Sequence, residues 1–148
     1  MNAPEPQDQS VPHFFCDRCV GAPVAERLAG MGWAITDHHE IFPDREPDES
    51  ILRRVSLERW HLLTVDNGMH LDDPKLLLIA RLGVCSFVLR DGSARAEVKA
   101  DAFEAARLEI ERLAALGGPA VYKLFRNGKL SSVDLSQCGL RPQALPNR

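Results

Sequence analysis

The chain has 148 residues, 45% of them apolar and 26% charged, with a formal net charge of −3 and an isoelectric point near 5.9. That is enough apolar material for one self-supporting core, and the mild acidity excludes a general polyanion binder, so any nucleic-acid contact has to come from a local patch or through metal ions. No run approaches the roughly 20 apolar residues of a membrane span, the start of the chain lacks the apolar segment of a signal peptide, and the four cysteines read as free thiols rather than a disulfide framework; a cytoplasmic protein is expected.

Taken in chain order, residues 1–11 read as a flexible tail, too polar and proline-rich to offset the entropy of ordering. His13-Phe14-Phe15-Cys16 is a first short strand. Val20, Val24, Leu28 and Met31 then recur at helical spacing, with Pro23 in the first turn and Gly32 at the end. Trp33 to Thr36 is a second strand and Pro43 to Pro47 a loop. Asp48 is expected to cap a helix carrying Ile51, Leu52 and Val55. His61 to Val65 is a third strand, closed by Asp66-Asn67-Gly68. Asp73-Pro74 opens a short helix that runs to Arg81, and its Leu76 to Ile79 run reads as core, part of it open to a dimer surface. Gly83 to Leu89 is a fourth strand, ended by Asp91-Gly92. The longest helix is predicted over 98–116, stopped by Gly117-Gly118-Pro119. Val121 to Phe125, Asn127-Gly128 and Lys129 to Val133 predict a hairpin on a type I′ turn. Residues 136–148 form a second tail, which leaves one domain over 12–135.

Strands alternating with helices at this spacing predict an α/β fold with a mostly parallel sheet, in which function sits beyond the carboxyl ends of the strands. Those ends are acidic here. Asp17 follows the first strand, Asp37 the second and Asp66 the third, while Asp48 and Glu49 open the helix leading into the third. If the first and third strands are neighbours, Asp17 and Asp66 stand one strand spacing apart, on the order of 5 Å. Two carboxylates so placed suit a hard cation such as Mg²⁺ or Mn²⁺, which wants oxygen ligands. Capping and turn formation account for Asp48, Glu49, Asp66, Asp72 and Asp73 equally well. Asp17 resists that explanation, because an unpaired carboxylate directly after so apolar a strand is costly.

The order of these segments resembles the PIN-like domain family. Phe14-Phe15-Cys16-Asp17-Arg18, then a helix and Gly32-Trp33, is similar to the opening of such domains. Phe42-Pro43-Asp44 to Leu52 resembles their second acidic segment, Trp60 to Asp66 their strand ending in Thr-x-Asp, and Gly83 to Leu89 their next strand. The resemblance implies a three-layer fold with a mostly parallel central sheet, here extended by the C-terminal hairpin. It implies a divalent-metal-dependent ribonuclease of the VapC-like toxin type, with RNA as substrate and an antitoxin protein as partner. By that likeness Asp17, Glu49 and Asp66 are catalytic, Asp17, Asp48, Glu49 and Asp66 hold Mg²⁺ or Mn²⁺, and Arg18 meets the substrate phosphate. A fourth acid would have to come from Asp72 or Asp73. The basic residues usual after Thr-x-Asp are replaced by Asn67-Gly68, which leaves a catalytically decayed scaffold as one alternative.

Cys16-Asp17-Arg18-Cys19 carries a second alternative, a thiol-disulfide oxidoreductase whose dithiol lies between a strand and a helix. The aspartate between the cysteines disfavours a thiolate, and ordinary burial explains Cys16, Cys85 and Cys138. A zinc site from Cys16, Cys19, His38 and His39 matches no common ligand spacing. His13, His61 and His70 read as solvated or packing residues.

Overall fold

The structure, a computed structural model, describes residues 11–65, 74–91 and 93–136. Six strands form one sheet: β1 (His13–Cys16), β2 (Ala34–Asp37), β3 (His61–Val65), β4 (Cys85–Leu89), β5 (Ala120–Leu124) and β6 (Leu130–Ser132). Their spatial order is β2-β1-β3-β4-β5-β6, parallel throughout except for the antiparallel β5–β6 pair. The helices are α1 (Ala22–Gly30), the single turn α2 (His38–Ile41), α3 (Asp48–Glu58), α4 (Pro74–Leu82), α5 (Ala96–Ala105) and α6 (Arg107–Leu116).

Strand alternation sends neighbouring side chains to opposite faces of the sheet, and each face has its own core. Phe14, Cys16, Leu63, Phe87 and Leu89 pack against Val24 and Leu28 of α1, Phe103 of α5 and Ile110 of α6. Phe15, Leu62, Val88 and Val121 pack against Ile51, Leu52 and Val55 of α3 and Leu76 and Ile79 of α4. Helices on both faces give three layers, the expected mixed α/β architecture with a mostly parallel sheet and a terminal hairpin. Chain direction reverses between β1, which leads outward to β2, and β3, which leads outward to β4 and β5. The β1–β3 seam is therefore the switch point of the sheet.

Local details depart from expectation at four places. The predicted long helix is two, because Ala106 leaves helical geometry (φ −98°, ψ 8°) and its amide donates to Phe103 O, three residues back, rather than four residues back as in an α-helix. Alanine favours helix, so composition does not mark this break; tertiary contact does, since the next residue, Arg107, donates to Met31 O at 2.8 Å and its guanidinium lies over Trp33. The hairpin is not type I′. Asn127 keeps a negative φ, Gly128 takes φ +88°, and the Gly128 amide donates to Phe125 O at 2.8 Å, giving a turn closed by a glycine bulge. Pro47 rather than Asp48 holds the cap position of α3, and Asp48 acts in its first turn, where its charge favours the helix dipole. The second strand is shifted to end on Asp37, which caps the unpredicted α2. Its side chain accepts the His39 amide at 3.0 Å while Glu40 accepts the Asp37 amide at 2.9 Å.

Residues 1–10 and 137–148 of the expected tails, Cys138 among them, the expected turn over 66–68, and His70, Asp72, Asp73 and Gly92 lie outside the described residues.

Candidate active site

Asp17 stands where the chain leaves β1 at the switch point. Its amide donates to Leu63 O at 3.0 Å, which extends the β1–β3 ladder one residue beyond Cys16. The pleat sends Asp17 to the same face as Phe15, and Thr64 to the same face as Leu62, so the two side chains meet under α3 and α4. Thr64 Oγ1 donates to Asp17 Oδ2 at 2.9 Å. Lys75, the second residue of α4, donates from Nζ to the same oxygen at 2.8 Å, and the Arg18 amide donates to Asp17 Oδ1 at 2.8 Å. Asp17 is only 6% exposed and Thr64 not at all.

Burial by itself drives the Asp17 carboxyl upward, yet the Lys75 ammonium, with the hydrogen bonds from Lys75, Thr64 and the Arg18 amide, outweighs it and holds the group below the ordinary carboxylate range. Lys75 mirrors this. Burial pulls its ammonium down, and Asp17 foremost, then Cys19 and Asp48, pushes it up, with a net rise. Both groups are therefore charged at neutral pH. The Asp48 carboxylate thus lies within electrostatic reach of the Lys75 ammonium. Glu49 turns to solvent and binds Arg53 Nη2 at 2.7 Å. Arg18 is exposed, and its backbone amide is what reaches Asp17.

The two cysteines of the opening motif have separate surroundings and are both free. Cys19 is exposed at the rim, with Sγ 3.2 Å from Thr64 Oγ1 and 3.7 Å from Asp17 Oδ2. Cys16 is fully buried on the other face, its Sγ toward Gly21 O at 4.0 Å. Burial first, and then the Asp37, Asp17 and Cys19 charges, push the Cys16 thiol well above its usual range against the pull of Lys99. Lys99 of α5 is itself buried and donates to Val20 O at 3.3 Å. Of the histidines, His38 is buried against Phe15 and Phe42 and His39 is exposed between Asp37 and Asp44. Among the described residues no group of three or more His, Cys, Asp or Glu gathers as a metal site. Asp66, two residues beyond Thr64, lies outside them.

A hard cation still fits the donor chemistry at the strand ends. Asp17 is a buried carboxylate held ionised, Thr64 adds a hydroxyl oxygen beside it, and Asp48 brings a second acid toward the same ammonium. Sequence reasoning singles out Asp17 and sets Asp37 at a strand end, but it does not give the Lys75 partner of Asp17, the capping role and burial of Asp37, or the burial of Lys99. The Asp37-x-x-Glu40 spacing is the available sign of a capping box; Lys99, between the charged Glu97 and Asp101, gives no sign of its burial.

A family model described as a PIN like domain matches residues 12–91, more than half of the chain. No curated protein and no solved structure matches. The matched segment carries β1 through β4, both strands of the switch point and the Asp17–Thr64–Lys75 cluster, and the chain belongs to the PIN-like domain family, within the nuclease superfamily.

Proposed function

We propose that the protein is a ribonuclease that hydrolyses phosphodiester bonds at the carboxyl end of the β1–β3 seam with a bound Mg²⁺ or Mn²⁺ ion. The observation that carries this reading is Asp17, a carboxylate buried at the switch point of the sheet and held ionised by its neighbours. Asp17 and Asp66 would hold the ion, and Asp48 is the better third ligand of the Asp48-Glu49 pair, since Glu49 is engaged by Arg53 at the surface. When bound, such an ion polarises a phosphoryl oxygen and lowers the pKa of a water molecule.

The chain's own residues prepare that site. Thr64 fixes the orientation of the Asp17 carboxylate through a 2.9 Å hydrogen bond. The ladder bond from the Asp17 amide to Leu63 O fixes its backbone. Arg18, exposed next to Asp17, is placed to meet a substrate phosphate with its guanidinium. RNA as substrate is carried forward from the family resemblance, as are the toxin role and an antitoxin partner. The thiol-disulfide alternative is weakened by Cys16, whose burial opposes the thiolate that such chemistry needs.

The test is incubation of the protein with structured and unstructured RNA, with Mg²⁺ or Mn²⁺ and then with excess EDTA. Cleavage that depends on the ion is expected, together with a loss of about 100-fold or more in Asp17→Asn. Cleavage that survives EDTA, or that Asp17→Asn retains, contradicts the proposal.

A further inference from the structure

We infer that Lys75 is a built-in competitor for the cation at Asp17, so that loading of the ion requires the lysine side chain to leave. The inference rests on the metal-dependent reading of this site. Its ground is occupancy. Asp17 Oδ2 already accepts Lys75 Nζ at 2.8 Å and Thr64 Oγ1 at 2.9 Å, and Oδ1 accepts the Arg18 amide at 2.8 Å. A divalent ion would sit about 2.0–2.1 Å from a carboxylate oxygen, in the same small space that the ammonium fills. The Asp17 and Lys75 side chains are 8% and 18% exposed, so solvent screens the repulsion between two cations there only weakly. The ammonium also reaches Thr64 Oγ1 at 3.5 Å and feels the field of Asp48, which means that it stands among the very groups proposed to bind the ion.

The position of Lys75 makes exchange feasible. It occupies the second position of α4, while the core contacts of that helix come from Leu76 and Ile79. Its flexible stem can swing toward solvent without disturbing those contacts, and the fraction of the side chain already exposed marks a way out. In the absence of metal the lysine supplies Asp17 with one of the two positive charges that a divalent ion would bring.

The experiment is calorimetric titration of Mn²⁺ into the full chain, its Lys75→Met and Lys75→Gln variants, and Asp17→Asn. Mn²⁺ binding at least about tenfold tighter in both lysine variants than in wild type, and lost in Asp17→Asn, is the expected result, a difference of about 1.4 kcal/mol. Equal affinity in wild type and lysine variants, or weaker binding in the variants, overturns the competition while leaving the metal site standing. Absence of Mn²⁺ binding from every form overturns the metal reading itself. Because a lysine variant can fail to fold, the wild-type chain supplies a second measurement: competitive acetylation of lysines read by mass spectrometry. Labelling of Lys75 should rise on addition of Mn²⁺; labelling that stays constant or falls overturns the inference.

Discussion

A carboxylate so deeply buried would ordinarily be driven toward its neutral form, and Asp17 is held in the opposite state by one ammonium and three hydrogen bonds. That has a consequence for stability. The folded-state pKa lies below the ordinary 3.8, so the stabilisation is fully present above that value and is lost as pH falls through the lower folded one. Lys75 acts on the other limb: its folded pKa lies above the ordinary 10.5, so its contribution holds below that value and is lost as pH rises through the higher folded one. Urea midpoints measured between about pH 5 and pH 2 should fall more steeply for wild type than for Asp17→Asn. Parallel acid limbs for the two proteins would show that Asp17 is not perturbed by folding. How this residue is used was partly legible in the sequence. An acid directly after Phe14-Phe15-Cys16 announces a carboxylate that needs a partner. The partner is a lysine 58 positions on, and only the pairing of β1 with β3 and the packing of α4 beneath them bring the two together.

Among the elements, local sequence signals were strongest where one residue type decides the geometry. The parallel strands and α1, α3 and α4 follow from apolar periodicity and from Pro23 and Pro74 in first turns. The break at Ala106 is less legible because it depends on the contacts of Arg107 with Met31 and Trp33 across the fold, and the glycine bulge at Gly128 because Asn-Gly serves more than one hairpin turn. Two glycines make the same distinction measurable. At Gly118 an added Cβ would run into the Gly83 carbonyl oxygen and the Val84 backbone, where β5 begins beside β4. At Gly30, in the last turn of α1, it would meet open space. Gly118→Ala should therefore destabilise by roughly 1–3 kcal/mol, and Gly30→Ala should stabilise by about 0.4–1 kcal/mol, both read from urea unfolding. A neutral Gly118→Ala would mean that the β4–β5 entry is looser than the backbone contacts indicate.

On the scale of the whole molecule, the family match and the folding unit do not coincide. The match ends at Asp91, yet the core on the α1 face takes Phe103, Ile110, Leu113 and Leu124 from beyond it. A chain cut after Asp91 would expose Phe14, Leu63, Phe87 and Leu89, which α5, α6 and β5 now cover. We expect the fragment 1–91 to show no cooperative thermal transition by circular dichroism, while the full chain melts in one step; a cooperative melt of the fragment would place the folding unit within the matched segment. Among the described residues no helix is long and apolar enough to cross a membrane. The two cores also differ in an optical sense. Of the two tryptophans in the chain, Trp33 packs in the α1-face core, with its indole N–H donated to Glu104 at 2.7 Å. Trp60 packs against the α3-face core, between Phe15 at 6.1 Å and the His13 ring at 5.0 Å. Each side of the sheet thus holds its own indole chromophore, so replacing one tryptophan by phenylalanine leaves the emission of the other as a private record of how its side loosens.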